Sequence, residues 1–133
     1  MAKILIAEDE KQIGDMMAFK LTNSGHQVIR AQNGDEVVAL ASRELPDLIM
    51  LDVMMPGING FEVLRRLKQH GDLRSVPVIM VTAKGHERDV LSGLGGGAVD
   101  YVVKPFSLKE LAARVELALR KPQGPPQPPA TAA

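Results

Sequence analysis

Residues 48–57 of the chain read Leu48-Ile49-Met50-Leu51-Asp52-Val53-Met54-Met55-Pro56-Gly57. Four apolar residues lead directly into a carboxylate, and Pro56 and Gly57 then close a turn. A continuous apolar run bounded by turn residues is typical of a strand that is buried on both faces. In open α/β folds, ligands bind at the carboxyl ends of such strands, which is where Asp52 would lie. We therefore interpret Asp52 as the reacting residue.

Strand and helix patterns alternate on both sides of this stretch. Strand-like runs occupy 3–7, 27–31, 78–81 and 101–103. Helical spacing of apolar residues occupies 13–21, 61–69, 87–94 and 107–120, and Asp35 is placed to cap a short helix before Pro46. Because each right-handed crossover between parallel strands must return over the sheet, the alternation predicts an α/β fold with helices on both faces.

The composition limits the classes of function. Lys plus Arg number 16 and Asp plus Glu number 16, so the formal net charge is zero. That balance argues against nucleic acid or an anionic membrane as a direct partner of this domain. The absence of Cys excludes disulfides, thiol catalysis and Cys-bound zinc. The apolar run 4–7 is too short for a signal or membrane-spanning segment, so we expect a soluble, cytoplasmic protein.

A change of composition marks the C-terminal boundary. From Pro122 onward the chain is rich in Pro, Gln, Gly and Ala and has no periodicity. Such a segment cannot bury enough apolar surface to offset the entropy lost on ordering. We therefore expect one folded domain over residues 1–121, followed by a disordered tail or the start of a linker over 122–133.

Chemically useful residues stand at the ends of four predicted strands. These residues are Glu8 with Asp9, then Asp52, Thr82 and Lys104. In a parallel sheet these ends meet at one edge, where two carboxylates about 4 Å apart repel by roughly 4 kcal/mol at the effective dielectric constant near a protein surface. Lys104 and a bound divalent cation could offset this repulsion. Clustered carboxylates without His or Cys favour Mg²⁺.

These residue types form a coherent set for phosphoryl transfer. That chemistry needs a positioned nucleophile and positive charge on the phosphoryl oxygens. Asp52 would attack, as carboxylates do in aspartyl-phosphate enzymes, while Mg²⁺ and Lys104 neutralise the incoming group and Thr82 donates to one of its oxygens. Taken singly, each residue is better explained as a cap, a β-branched strand residue or a surface lysine. The agreement of four strand ends favours function.

With these residues in view, the chain resembles the response-regulator receiver domain of two-component signalling. The resemblance covers about 3–121 and lies in motifs that are specific in combination. These motifs are Glu8-Asp9, Leu51-Asp52 followed by Met54-Met55-Pro56-Gly57 and by Gly60, Val81-Thr82-Ala83, and Asp100-Tyr101-Val102-Val103-Lys104-Pro105-Phe106. The resemblance implies a flavodoxin-like, doubly wound, five-stranded parallel sheet with strand order 2-1-3-4-5.

The resemblance also implies a mechanism. Asp52 would be phosphorylated reversibly by a phosphohistidine on a sensor histidine kinase or phosphotransfer protein, and a downstream effector domain or protein would read the result. Mg²⁺ would be held by Glu8, Asp9, Asp52 and the main-chain carbonyl of Met54. The phosphoryl group would be bound by Thr82, Ala83 and Lys104, and the bond between Lys104 and Pro105 would be cis. The protein would be a signalling phosphoacceptor rather than an enzyme with turnover.

The resemblance implies a switch and a set of tuning residues. Thr82 and Tyr101 match the switch pair, in which the hydroxyl moves inward and the aromatic ring follows. The output surface would then be the last helix, the last strand and the helix at 87–94. Met54 and Lys84 match the positions that tune loss of the phosphoryl group. An apolar Met54 should exclude or misplace water, which predicts a long-lived aspartyl phosphate.

The chain departs from the family pattern in two places. Gly95-Gly96-Gly97 replaces a Glu-Ala-Gly motif, and each Gly costs a helix interior about 1 kcal/mol relative to Ala, so the helix ending near Leu94 is predicted to be short or frayed. Asp100, Glu110 and Arg114 match salt-bridge positions that related receivers use in a phosphorylation-dependent dimer. The matching charges are absent at Val90, Gly95 and Val99.

Two other functions remain open at this point. An aspartyl phosphatase of the haloacid-dehalogenase type would carry a second acid two residues after the nucleophile, where this chain has Met54. A pseudo-receiver would be a binding module of the same fold that is never phosphorylated, and such modules usually lose the acid pair, the acceptor or the lysine.

The three His residues match no ligand spacing and are interpreted as surface residues.

Overall fold

A computed structural model describes residues 1–83 and 96–120 of the chain. Within these residues it contains five strands and four helices. In chain order they are β1 (Lys3–Ala7), α1 (Lys11–Asn23), β2 (Gln27–Ala31), α2 (Gly34–Glu44), β3 (Leu48–Asp52), α3 (Gly60–Gln69), β4 (Val78–Ala83), β5 (Asp100–Lys104) and α4 (Leu108–Arg120). The predictions for the helix at 87–94, for Lys84, Val90 and Gly95, and for the tail at 122–133 lie outside the described residues.

All strand pairs are parallel, and the sheet order is β2-β1-β3-β4-β5. The predicted flavodoxin-like order is therefore confirmed. The central strand β3 has all five of its residues buried, and Leu51 lies opposite Ala7 on one side and Met80 on the other. This register puts the carboxyl ends of β1, β3 and β4 at the same edge of the sheet.

The core has two halves, one on each face of the sheet. Ile49 and Leu51 of β3 pack in the half that includes residues of α2 and α3. Leu48 and Met50 pack in the half that includes residues of α1 and α4. Because successive strand residues point to opposite faces, a strand covered on both faces is apolar at every position. This explains the continuous run that identified β3, since each fully buried Leu or Ile contributes about 1.5–3 kcal/mol to stability.

Side chains cap three of the helices. Asn33 caps α2 by accepting a hydrogen bond from the Glu36 backbone N–H at 3.1 Å, so the prediction that Asp35 is the cap was wrong. Asn33 has the extended backbone of an N-cap, whereas Asp35 lies inside the first turn, where its carboxylate favours the positive end of the helix. Asn59 caps α3 and Ser107 caps α4 in the same manner.

His26 is buried, so its prediction as a surface residue was wrong. Its Nδ1 accepts a hydrogen bond from the Ala2 backbone N–H at 3.1 Å. Its Nε2 lies 2.7 Å from Glu116 Oε2 on α4. Because Nδ1 is the acceptor, Nε2 carries the proton and donates to the carboxylate. His26 thus joins the start of β1 to the last helix at the edge of the sheet opposite Asp52.

Among residues 1–83 and 96–120, no helix is both long enough and apolar enough to cross a bilayer.

The junction of β3 and α3 should not tolerate a side chain at Gly60. A Cβ there would lie 2.6 Å from the Asp52 carbonyl oxygen and 2.8 Å from Val53 Cα. We expect Gly60→Ala to lower the free energy of unfolding by about 1–3 kcal/mol through overpacking. Gly71→Ala is the matched control because an added Cβ would meet no atom within 4 Å. Urea unfolding measures both variants, and equal changes in the two midpoints would contradict the close approach.

Candidate functional site

The carboxyl ends of three strands bring two acidic residues and a lysine together. Glu8 directly follows β1, Asp52 is the last residue of β3, and Lys104 is the last residue of β5. Lys104 Nζ lies 3.1 Å from Glu8 Oε2 and 3.2 Å from Asp52 Oδ2. Since β5 and β3 are separated by β4, the lysine side chain reaches across the end of one strand to make these contacts. The predicted convergence of these three residues is present in the structure.

A third carboxylate in the group is that of Glu10, which the sequence analysis missed. Glu10 Oε1 lies 2.9 Å from Lys104 Nζ, and one oxygen each from Glu8, Glu10 and Asp52 lie within 4.8 Å of one another. Asp9, which was predicted as a metal ligand, is exposed and is not part of this group. The Glu10 backbone N–H donates to Glu8 Oε2, and this turn brings Glu10 back toward the lysine. The acidic run 8–10 was the only sequence signal for it.

Burial makes the electrostatics of this group strong. Glu8 and Asp52 are 2% and 3% exposed, and the Lys104 side chain is 16% exposed. Burial of Glu8, and next the negative charge of Asp52, raise the pKa of Glu8 to about 7, although Lys104 acts in the opposite direction. Burial lowers the pKa of Lys104, but its contacts with Glu10, Asp52 and Glu8 outweigh that effect and raise it above its usual value. The lysine therefore stays charged.

Two buried oxygens at this edge lack a hydrogen-bond partner among the described residues. They are Glu8 Oε1 and Thr82 Oγ1. An unsatisfied buried polar atom costs about 1–3 kcal/mol, and such atoms in native proteins often mark a place where an ion or ligand binds. The carboxylate oxygens of Glu8, Glu10 and Asp52 are the ligand type that a hard divalent cation prefers. The residues present therefore fit a magnesium ion.

Asp52 is held in a fixed orientation. Its Oδ1 accepts a hydrogen bond from the Met54 backbone N–H at 3.1 Å, while its Oδ2 contacts Lys104. Met54, two residues after Asp52, is 62% exposed. These contacts orient the carboxylate, and the positive charge of Lys104 beside it can stabilise the negative oxygens of an electrophile that Asp52 attacks.

The remaining predicted residues lie on β4 and β5. Thr82 is buried and is the second-last residue of β4, and Ala83 is exposed and lies opposite Lys104 in the strand register. Tyr101 is half-buried on the edge strand β5. The peptide bond between Lys104 and Pro105 is cis.

The chain matches a known protein family along most of its length. The family model described as the response regulator receiver domain matches residues 4–116. Over 119 residues the chain is 43% identical to the phosphate regulon transcriptional regulatory protein PhoB of Escherichia coli (strain K12), which covers 90% of this chain and 52% of PhoB. It is 46% identical to the probable transcriptional regulator ycf27 of Porphyra purpurea, with 90% and 48% covered. The chain thus spans about half the length of the curated relatives it matches.

Solved structures show the same similarity. A putative response regulator from Chloroflexus aurantiacus superposes with a TM-score of 0.87 at 34% identity, covering 90% of this chain and 98% of that one. The receiver domain of the Francisella response regulator 1452 superposes with a TM-score of 0.83 at 32% identity, covering 90% of this chain and 98% of that one.

The raised pKa of Glu8 gives a testable dependence of stability on pH. Glu8 titrates at 4.5 when unperturbed and at about 7 in the folded protein, so between these values the folded state binds more protons than the unfolded state. The free energy of unfolding should therefore fall by about 3 kcal/mol as the pH rises through this window. Urea unfolding in a chelator-containing buffer measures this effect.

Two variants isolate the contribution of Glu8 to this pH dependence. Glu8→Gln should lack this decrease, whereas Asp72→Asn, at an exposed loop position, should retain it. Parallel pH profiles for the wild type and Glu8→Gln would contradict the assignment.

Proposed function

Because the chain belongs to the response regulator receiver domain family of two-component systems, we propose that it accepts a phosphoryl group on Asp52. The donor would be a phosphohistidine of a sensor histidine kinase or phosphotransfer protein. An Asp52 carboxylate oxygen attacks the phosphorus, the P–N bond breaks, and the imidazole leaves with its electron pair. The observation that carries the proposal is the pairing of a buried Asp52 with Lys104 at 3.2 Å, at the end of the central strand.

The acidic group is proposed to hold Mg²⁺. Glu8, Asp52 and the main-chain carbonyl of Met54 would be ligands, with the fourth contribution from Asp9 as the family resemblance implies or from Glu10, whose side chain is already in the group. The ion would supply positive charge on the phosphoryl oxygens during transfer. Support comes from the unpaired Oε1 of Glu8, which is buried and faces no donor among the described residues.

Three residues are proposed to bind the transferred group. Lys104 would shift its ammonium from the free carboxylate to a phosphoryl oxygen, so its positive charge would stay in the site throughout. The Thr82 hydroxyl, which has no partner among residues 1–83 and 96–120, would donate to a second oxygen. Ala83 is exposed at the end of β4 and would leave the approach to Asp52 open.

Thr82 and Tyr101 are proposed to convert phosphorylation into a change of surface. The phosphoryl group carries about −1.5 to −2 charges and acts by biasing a two-state element. Movement of the Thr82 hydroxyl toward the phosphoryl group would leave space that the Tyr101 ring could enter. The output surface would comprise α4, β5 and the segment at 87–94, and it would be read by a downstream effector domain or protein, or by a second receiver in a dimer.

The domain boundary near residue 121 also remains a proposal. The family model ends at residue 116 and α4 ends at Arg120, which supports a receiver domain over 1–121. Residues 122–133 would form a tail or linker. The proposed role is a signalling phosphoacceptor without substrate turnover, and Met54 stands where the phosphatase alternative needs its second acid.

Phosphorylation with a small-molecule donor tests the proposal. After incubation with acetyl phosphate and Mg²⁺, the intact mass should rise by one phosphoryl group in the wild type and in the exposed control Asp72→Asn. Asp52→Asn should show no increase, because the amide lacks the nucleophilic carboxylate. An unmodified wild type would favour the pseudo-receiver, and release of inorganic phosphate in large excess over protein would favour the phosphatase.

The lifetime of the aspartyl phosphate provides a second prediction. Met54 is exposed two residues after Asp52, and its thioether, which is only a weak hydrogen-bond acceptor, is poorly suited to orient water for attack. We expect Met54→Asn to shorten the half-life of the phosphorylated protein, since the amide can hold a water by hydrogen bonds. Phosphate release after removal of the donor measures the decay, and Met16→Asn, at an exposed position on α1, is the control for surface polarity. An unchanged half-life in Met54→Asn would refute this role.

A further inference from the structure

The guanidinium of Arg114 lies over the ring of Tyr101. Its Cζ is 5.9 Å from the ring centroid, within the range of a cation–π contact. Arg114 belongs to α4 and Tyr101 to the edge strand β5, so the contact bridges two elements of the proposed output surface. Arg114 belongs neither to the sequence motifs of the phosphoacceptor site nor to the ion pairs around Lys104.

Two carboxylates hold Arg114 in that position. Its Nη1 donates to Asp100 Oδ1 at 2.8 Å, and its Nε donates to Glu110 Oε2 at 3.1 Å. Glu110 is one helical turn before Arg114, whereas Asp100 is the first residue of β5. These are the charges that the family resemblance assigned to contacts between receivers, and here they pair within one chain.

Asp100 also ties the arrangement to the backbone of Tyr101. Asp100 Oδ1 accepts a second hydrogen bond, at 2.8 Å, from the Tyr101 backbone N–H. One carboxylate oxygen therefore binds both the peptide of Tyr101 and the guanidinium above its ring. Because charge-assisted hydrogen bonds to a planar guanidinium are directional, the guanidinium would have to break them to follow the ring if the ring moves away.

Tyr101 lies on the same face of the sheet as Thr82. In the strand register Tyr101 is opposite Met80, and both pack in the same half of the core. Thr82 is two residues beyond Met80, so its side chain points to that face as well. The Tyr101 ring and the Thr82 hydroxyl thus lie on the same face of neighbouring strands, and Arg114 of α4 contacts the ring.

We propose that Arg114 is a positioning residue that sets the resting place of the Tyr101 ring and opposes its movement into the core. The proposal rests on the proposed function in treating Tyr101 as the switch. A ring that moves inward must leave the guanidinium, which stays fixed by Asp100 and Glu110. A cation–π contact at a partly exposed site corresponds to roughly a two- to five-fold change in an equilibrium. Loss of Arg114 should raise the ratio of inward to outward rings by that factor.

The chain offers a single-site reporter for this equilibrium. Tyr101 is its one tyrosine, so biosynthetic incorporation of 3-fluorotyrosine places one fluorine label at the switch position. The ¹⁹F chemical shift reports the population of ring positions in the unphosphorylated protein. Its readout does not depend on phosphorylation of Asp52, so a failure of the proposed function would be seen separately.

The test compares Arg114→Gln, Arg114→Lys and Arg120→Gln. We expect the ¹⁹F resonance of Arg114→Gln to shift from its wild-type position, and Arg114→Lys, which keeps the charge but loses the two-pronged anchoring, to give a smaller shift. Arg120→Gln removes the same charge from an exposed position of α4 and should match the wild type. In a second measurement, acetyl phosphate should label Asp52 of Arg114→Gln roughly two to five times faster than wild type.

Specific results would overturn the proposal. Coincident resonances for the wild type and Arg114→Gln would show that the arginine does not position the ring, whatever its effect on thermal stability. Equal shifts in Arg114→Gln and Arg120→Gln would reduce the effect to net charge. If Arg114→Gln fails to fold by circular dichroism, Arg114→Lys and Asp100→Asn replace it, and wild-type resonances in both would equally refute the role.

Discussion

The arrangement at the carboxyl end of the sheet depends on the ion pairs that the Lys104 ammonium group makes. This group lies 2.9–3.2 Å from oxygens of Glu10, Glu8 and Asp52, in surroundings that exclude most of the solvent. Three carboxylates so close together would repel strongly in this partly buried place. The lysine offsets that repulsion and also links the edge strand β5 to the central strand β3. Charge balance and the geometry of the sheet therefore depend on the same side chain.

Much of this arrangement can be predicted from the sequence, because a strand that is buried on both faces is apolar at every position. A run such as Leu48–Leu51 has few alternatives to a central parallel strand, and once the alternation of elements is recognised the strand ends must converge. The approach of Lys104 to Asp52 follows from topology alone, although the two residues are 52 positions apart. The receiver-type order of strands came from motif resemblance, since periodicity does not determine which strands are neighbours.

Other features could not be read from the sequence because they depend on local backbone geometry or on contacts between distant side chains. Whether Asn33 or Asp35 caps α2 is decided by which residue has an extended backbone. The inclusion of Glu10 depends on the turn after β1, and the acidic run 8–10 offers three candidates that differ only in direction. His26 can be buried because Ala2 and Glu116 provide hydrogen-bond partners for its two ring nitrogens. The spacing of residues in the sequence does not predict such distant partners.

The bond between His26 and Glu116 constrains how the last helix can respond. It fastens α4, near its final turns, to the turn before β2 and through Ala2 to the first strand. A helix that is held at one point near its end can tilt about that point, whereas sliding along its axis would break this hydrogen bond. A tilt of α4 that preserves this hydrogen bond would therefore move the end nearest Ser107 further than the end nearest Arg120.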